Sequence, residues 1–247
     1  MSAVSALTLV LVGFVASTLN TVAGGGSFLT LPLLMFMGLS APAATATNRV
    51  GVLTQNVGAV WGFHRHRVLD WRWALGAAVP TALGSGLGAW LALGVGDREF
   101  RRLLAFLMLG LCLWTLLDRG HRSLQTAPAL TARPWLVKLG FFLVGIYGGF
   151  IQAGIGFLVL ALTTLAGFDL VRGNAIKVLA VLLQTLVALA VFLSAGQVRW
   201  AEGGLLAVGG LLGSVVGVHL AVLKGHRWLR GVVTVTMVLF AIRLLLP

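Results

Sequence analysis

The chain contains the same stretch twice, about 129 residues apart, and this duplication limits the folds open to it more than any other feature. Leu83-Gly84-Ser85-x-x-Gly88-x-x-Leu91-Ala92 returns as Leu212-Gly213-Ser214-x-x-Gly217-x-x-Leu220-Ala221. The same offset pairs Gly25 with Gly154, Phe28 with Phe157, Gly38 with Gly167, Gln55 with Gln184, Phe63 with Phe192 and Trp71 with Trp200. Two related halves must therefore pack against each other, and the shared landmarks are mostly apolar, glycine or amide.

Hydrophobic residues make up 59% of the 247 and charged ones 10%, against roughly a quarter charged in a soluble domain. Such a chain cannot cover a globule with polar surface and belongs in a bilayer. Met1–Asn48, Trp73–Gly96, Leu139–Phe168, Val178–Val198 and Gly203–Leu223 contain no Asp, Glu, Lys or Arg, and about 20 apolar residues suffice to span the hydrocarbon core. The formal charge of +12 would suggest nucleic acid in a soluble protein, but here the basic residues cluster in short loops, so no nucleic-acid partner is expected. Cys112 is the single cysteine, which excludes an intramolecular disulfide and a multi-cysteine metal site and leaves helix packing. No Lys or Arg precedes the first apolar run, so it is read as a membrane element and not a cleaved signal. Trp61, Trp71, Trp73, Trp200 and Trp228 suit the headgroup level.

Each half opens with an apolar stretch of awkward length. Ser5–Leu39 would be a helix of about 52 Å against a core of about 30 Å, so it must break. Gly24-Gly25-Gly26 marks the break, because each glycine is about 1 kcal/mol worse than alanine inside a helix. Gly145, Gly148, Gly149, Gly154 and Gly156 around Gln152 do the same in the second half. The expected fold is an all-α polytopic membrane protein of two inverted-topology repeats, each a broken helical hairpin followed by three transmembrane helices, about 8 to 10 membrane segments in total. The helices are expected near 45–63, 73–95, 101–117, 174–195, 202–223 and 228–246. Residues 1–118 form the first repeat, 119–134 a cytoplasmic linker and 135–247 the second repeat.

Inversion follows from arithmetic: a hairpin that enters and leaves on one side, plus three crossings, is an odd number. Loop charges agree. With the linker inside, 12 basic residues fall in inside loops and 5 outside, with Arg49 left at a helix start, as the positive-inside rule requires. Corresponding loops differ as inversion demands: 39–47 has no basic residue and 168–177 has two, whereas 64–72 has three and 196–201 one. The loop 97–102, with three arginines, is the exception.

A glycine break leaves the amide N–H groups of the next helical turn without intrahelical partners, and the helix dipole adds partial positive charge. Gly24, Gly25, Gly26 and Ser27, with Ser27 as a candidate N-cap, and Gly154 and Gly156 are therefore candidate anion-binding positions. Arg49 and Lys177, each read as opening the helix after a hairpin and preceded by Asn48 and Asn174, are candidate substrate cations; snorkelling to the interface is the competing reading. Gln55 and Gln184 occupy one repeat position and are expected to line a cavity, with Asn20, Asn56 and Gln152 as further amides of the same kind.

His64-Arg65-His66-Arg67 does not suit a metal, since the arginines repel a cation. His219, whose repeat partner is Trp90, is assigned to packing. Asp70, Asp97, Glu99, Asp118, Asp169 and Glu202 all fall at expected helix ends or loops, so a metal-cation pathway lacks ligands, and no nucleophile-base pair points to an enzyme. Neither a metal nor a cofactor is expected.

Gly24-Gly25-Gly26-Ser27-Phe28-Leu29-x-Leu31-Pro32-Leu33-Leu34, followed by Gly38-Leu39 and Ala43-x-Thr45-Ala46-Thr47-Asn48, resembles the amino-terminal signature of the TauE/SafE sulfite exporter family, also called the four-toluene-sulfonate uptake permeases. Gly154-x-Gly156 and the chain length are similar too, while Gly-Ile-Gly in place of three glycines is a departure. The resemblance implies a multi-pass bacterial inner-membrane permease that exports small sulfur-containing anions such as sulfite, sulfoacetate or related organosulfonates. Its expected partners are a small anionic substrate and the lipid bilayer, and a homo-oligomer is compatible with it. Alternatives are a permease for another small anion or a metal cation, and a membrane-embedded enzyme.

Overall fold

The computed structural model describes residues 2–22, 24–117 and 134–223. These form nine α-helices and no strand: α1 (Ala3–Val22), α2 (Ser27–Phe36), α3 (Ala41–Arg65), α4 (Trp71–Leu93), α5 (Asp97–Leu117), α6 (Pro134–Phe150), α7 (Ile155–Leu165), α8 (Leu170–Ser194) and α9 (Trp200–Leu223). The helix expected at 228–246, residues 118–133 of the linker region and the Cys112 side chain lie outside what is described.

The duplication reappears as geometry. Adding 129 to both ends of α3 gives both ends of α8, and α2 and α4 map onto α7 and α9 to within one residue. Four helices, α1, α4, α8 and α9, are long and apolar enough to cross a membrane, and α2, α6 and α7 are shorter apolar pieces. At 25 residues, α3 is long enough as well, but its Asn48, Arg49, Gln55 and Asn56 are buried and lower its mean hydropathy.

Capping explains why the helices after the hairpins start earlier than expected. Ser40 accepts a hydrogen bond from the Ala43 amide at 3.4 Å, and Asp169, its counterpart at the repeat offset, accepts from Val171 and Arg172 at 2.9 and 3.0 Å. Asp70 caps α4 through Arg72 and Trp73, and Asp97 accepts from the Ala41 amide at 2.5 Å. These carboxylates thus sit at positively polarised helix starts.

The two halves exchange partners. α1 packs along α9, α6 packs along α4, and α3 and α8 run through the middle, each also touching the other half's fourth helix. Such reciprocity is what a two-fold relation between halves produces. The repeated Gly-Ser-x-x-Gly motif lies along these seams. A Cβ on Gly84 would overlap the Phe142 carbonyl and lie 2.9 Å from the Ile146 nitrogen. One on Gly213 would overlap the Phe14 carbonyl and lie 2.9 Å from its carbon. Small residues let apolar helices approach closely where no hydrophobic drive exists between them.

The outside is apolar and much of the inside is not. Leu7, Leu83, Trp90, Leu212 and Val215 project outward, while Thr45, Asn48, Arg49, Gln55, Gln152, Lys177 and Gln184 are buried. That distribution fits a lipid solvent. His219, assigned from sequence to packing, is exposed on α9, because its face, like that of Trp90 on α4, looks away from the bundle.

Candidate functional site

Both broken helices end inside the bundle and their breaks cross. Gly24 has φ +95° and Gly154 has φ +74°, so each turn passes through the left-handed region that glycine tolerates. The left-handed residue of the first break is Gly24, one position before the counterpart of Gly154, because a run of glycines lets the turn settle where packing favours it. Gln152 also has positive φ, 69°. At the crossing a Cβ on Gly24 would lie 2.6 Å from both the Cα and the carbonyl carbon of Gly156. Two backbones from opposite halves are thus in direct contact.

Ser27 does not cap α2. The N-cap is Gly26, without a side-chain bond, and Ser27 is the first helical residue. Its hydroxyl oxygen instead accepts from Asn48 Nδ2 at 3.3 Å, while Thr30 Oγ1 donates to Asn48 Oδ1 at 2.6 Å. The Phe28 and Leu29 amides are spent on Gly25 and Gly26 carbonyls at 3.2 and 3.0 Å. In the second half, Phe157 bonds to Gly154 in the same way at 3.0 Å.

Arg49 and Lys177 lie deeper than the sequence suggests, on the third turn of helices that begin at residues 41 and 170. Their exposures are 0% and 2%, so neither snorkels. Lys177 Nζ donates to the carbonyls of Asn20 at 2.8 Å and Thr21 at 3.0 Å, and to Asn174 Oδ1 at 2.7 Å. Asn174 Nδ2 completes the set by donating to the Val22 carbonyl at 3.0 Å. A cation from the second half therefore caps the carboxyl end of α1. The reciprocal cap is made by Arg49 Nη2, which donates to the Gly148 carbonyl at 3.1 Å and to that of Gly149. Gly149 is the repeat counterpart of Asn20, so the two cations do one job at equivalent places. Arg49 also stands over the Phe192 ring at 5.0 Å.

The electrostatic consequence is direct. At each break the carboxyl end of one helix, worth about −0.5 charge, faces the amino end of the next, worth about +0.5. Alone they would nearly cancel. A basic side chain on each carboxyl end tips the crossing towards positive, and among the described residues neither has an acidic partner: the ion pairs there are the exposed Arg101–Asp97 and Arg172–Asp169. Arg49 Nε and Nη1, Gln152 Oε1 and both polar atoms of Gln184 are buried without a partner among the described residues.

A small pocket opens beside the first break, bounded by α1, α2, α3 and α9. Ser17, Asn20, Gly26, Ser27, Thr30, Asn48 and Gln55 contribute to its wall. The structure brings Ser27, Asn48, Gln55 and Gly26 together here. Arg49 and Gln184 meet elsewhere, both against Gly148, and Gln152 reaches Thr185 Oγ1 at 3.4 Å. Asn56 is occupied in donating to the Val52 carbonyl at 2.7 Å. Sequence reading missed Ser17 and Thr30. Their signal was the repeat itself: at the same offset stand Ile146 and Val159, so polarity is present in one half only. His64 Nδ1 accepts from Trp71 Nε1 at 3.3 Å, and among the described residues no group of three His, Cys, Asp or Glu is arranged for a metal.

Broken helices meeting inside an apolar-coated bundle, with buried cations at their ends, have the architecture of a multi-pass membrane transporter. The comparisons narrow this. The family described as "Sulfite exporter TauE/SafE" matches residues 9–244, and the chain belongs to that family. A "Probable membrane transporter protein" of Haemophilus influenzae is 31% identical over 91% of this chain and 88% of its own length. The "Probable membrane transporter protein YfcA" of Escherichia coli K12 is 31% identical over 95% of this chain and 87% of its own. No solved structure matches.

Proposed function

We propose that the chain is an inner-membrane permease that exports a small sulfur-containing anion, sulfite or a related organosulfonate, by alternating access of two inverted repeats. The observation that carries the anion is the pair of buried cations, Arg49 and Lys177, capping the carboxyl ends of α6 and α1 with no acidic partner among the described residues. A substrate cation would meet two positive charges there, whereas an oxyanion would be drawn to the crossing and to the amino ends of α2 and α7. The loop charges support inversion and favour a cytoplasmic linker. The family name favours sulfite as the first substrate to test. One half moving against the other, about the Gly24–Gly156 crossing, would expose the anion to the two sides in turn.

Proteoliposomes loaded with sulfite are expected to lose it faster than protein-free vesicles. Gly154→Leu, which forces a branched side chain into a left-handed turn (φ +74°), is expected to bring efflux to the protein-free rate while the protein still inserts. Efflux at the protein-free rate from wild-type vesicles loaded with sulfite, thiosulfate or sulfoacetate would remove the anion reading.

A further inference from the structure

We infer that the paired breaks are not equivalent and that the chain holds one anion, in a pocket belonging to the first half, with Gln55, Asn48 and Ser27 as its ligands and Thr30 holding Asn48 in place. This deepens the anion reading above and rests on it.

Pocket residues Ser17, Thr30 and Gly26 correspond to Ile146, Val159 and Ile155, so at these three positions the second half has apolar bulk where the first has a hydroxyl or no side chain. Ile155 fills the counterpart of the pocket: its Cδ1 and the Gln184 amide crowd the same point beside Gly148. Lys177, the counterpart of Asn48, is turned away to cap α1.

Gln55 and Gln184 make the contrast directly. Gln184 is fully enclosed and both its polar atoms lack a partner among the described residues. Gln55 is 4% exposed and lines the pocket, and none of the side-chain hydrogen bonds among the described residues involves its amide. Unlike that of Gln184, the Gln55 amide is not sealed in, and the space beside it is open to a ligand.

The hydrogen-bond directions select a ligand that accepts. Thr30 gives its hydrogen to Asn48 Oδ1, and Asn48 gives one Nδ2 hydrogen to Ser27 Oγ. With its oxygen engaged as acceptor, Ser27 has its own hydroxyl hydrogen to offer to the pocket, and Asn48 has a second amide hydrogen. The amino end of α2 opens into the same space through Gly26 and Ser27. Lys177, bonded to the Asn20 carbonyl in the pocket wall, adds positive potential. No carboxylate lines the pocket. Its room is on the scale of one water-sized group, far below that of pockets that hold drug-sized molecules. The pocket therefore suits an oxyanion with little or no organic tail.

The test is calorimetric titration of the purified full-length chain in detergent with sulfite, alongside thermal unfolding of each variant. One sulfite per chain is expected. Thr30→Val keeps shape and removes the hydroxyl that holds Asn48, and Gln55→Glu keeps shape and adds a repelling charge; each is expected to weaken sulfite roughly tenfold or more. Val159→Thr, which copies Thr30 into the second half, is expected to add no second site. Toluenesulfonate is expected not to displace sulfite. Two sulfites per chain, wild-type affinity in folded Thr30→Val and Gln55→Glu, or displacement by toluenesulfonate at parity would each overturn this assignment while leaving an anion transporter standing. Failure of the wild type to bind sulfite, thiosulfate or sulfate would overturn the anion reading and this site with it.

Discussion

Replacing Gly24 with alanine is expected to destabilise the protein by on the order of 4 kcal/mol, several times the roughly 1 kcal/mol typical of a point substitution. Two costs add. Alanine at φ +95° is strained, and its Cβ would lie 2.6 Å from the Cα and carbonyl carbon of Gly156, where no side chain can rotate aside. Gly38 supplies the control, because its φ is +93° but nothing lies within 4 Å of a Cβ there. Gly38→Ala should therefore cost only about 1 kcal/mol, the strain alone. Thermal unfolding of both variants in detergent separates conformation from contact. Equal shifts for the two would show that the crossing of the breaks contributes nothing.

The second large effect belongs to Lys177. Methionine matches its shape but donates nothing, so Lys177→Met leaves the Asn20 and Thr21 carbonyls and Asn174 Oδ1 without the donor they share. Each acceptor left unpaired in a buried site costs about 1–3 kcal/mol. A loss of at least about 3 kcal/mol is expected, or a fall in melting temperature on the order of 10 °C. Removing a buried cation also relieves its desolvation, which works in the opposite direction. With three acceptors engaged at 2.7–3.0 Å, the lost bonds should win. A melting temperature unchanged or raised in Lys177→Met would show that the desolvation term is the larger.

Much of the architecture was legible because duplication is a statement about geometry. The offset of 129 that pairs Gln55 with Gln184 also pairs both ends of α3 with both ends of α8, and glycine runs marked the breaks because helices tolerate them poorly. Depth was harder to read. Arg49 looked like a residue at a helix start because Asn48 beside it resembles a cap, whereas the cap is Ser40, eight positions earlier than Asn48. The pairing of Ser40 with Asp169 at the repeat offset was the available signal. Symmetry of sequence does not bring symmetry of environment: Gln55 lines open space, whereas Gln184 is walled in by Ile155 and Gly148. The difference lies in neighbours that do not repeat, and those are visible only when the halves are compared for what they lack.

The exchange of partners between halves has a consequence for how the protein is made. α1 leaves the ribosome before the other described helices, yet its main partner is α9, and the Thr18 hydroxyl that bonds to the Gly213 carbonyl waits for a residue 195 positions later. At roughly 5–20 residues per second, that wait is about 10 to 40 s. During it, the face of α1 that ends against the glycines of α9 must be covered by lipid or by a temporary neighbour. The glycine seam on α9 is therefore a late-arriving dock, and a ribosome that stops before residue 200 leaves the first helix without its main partner.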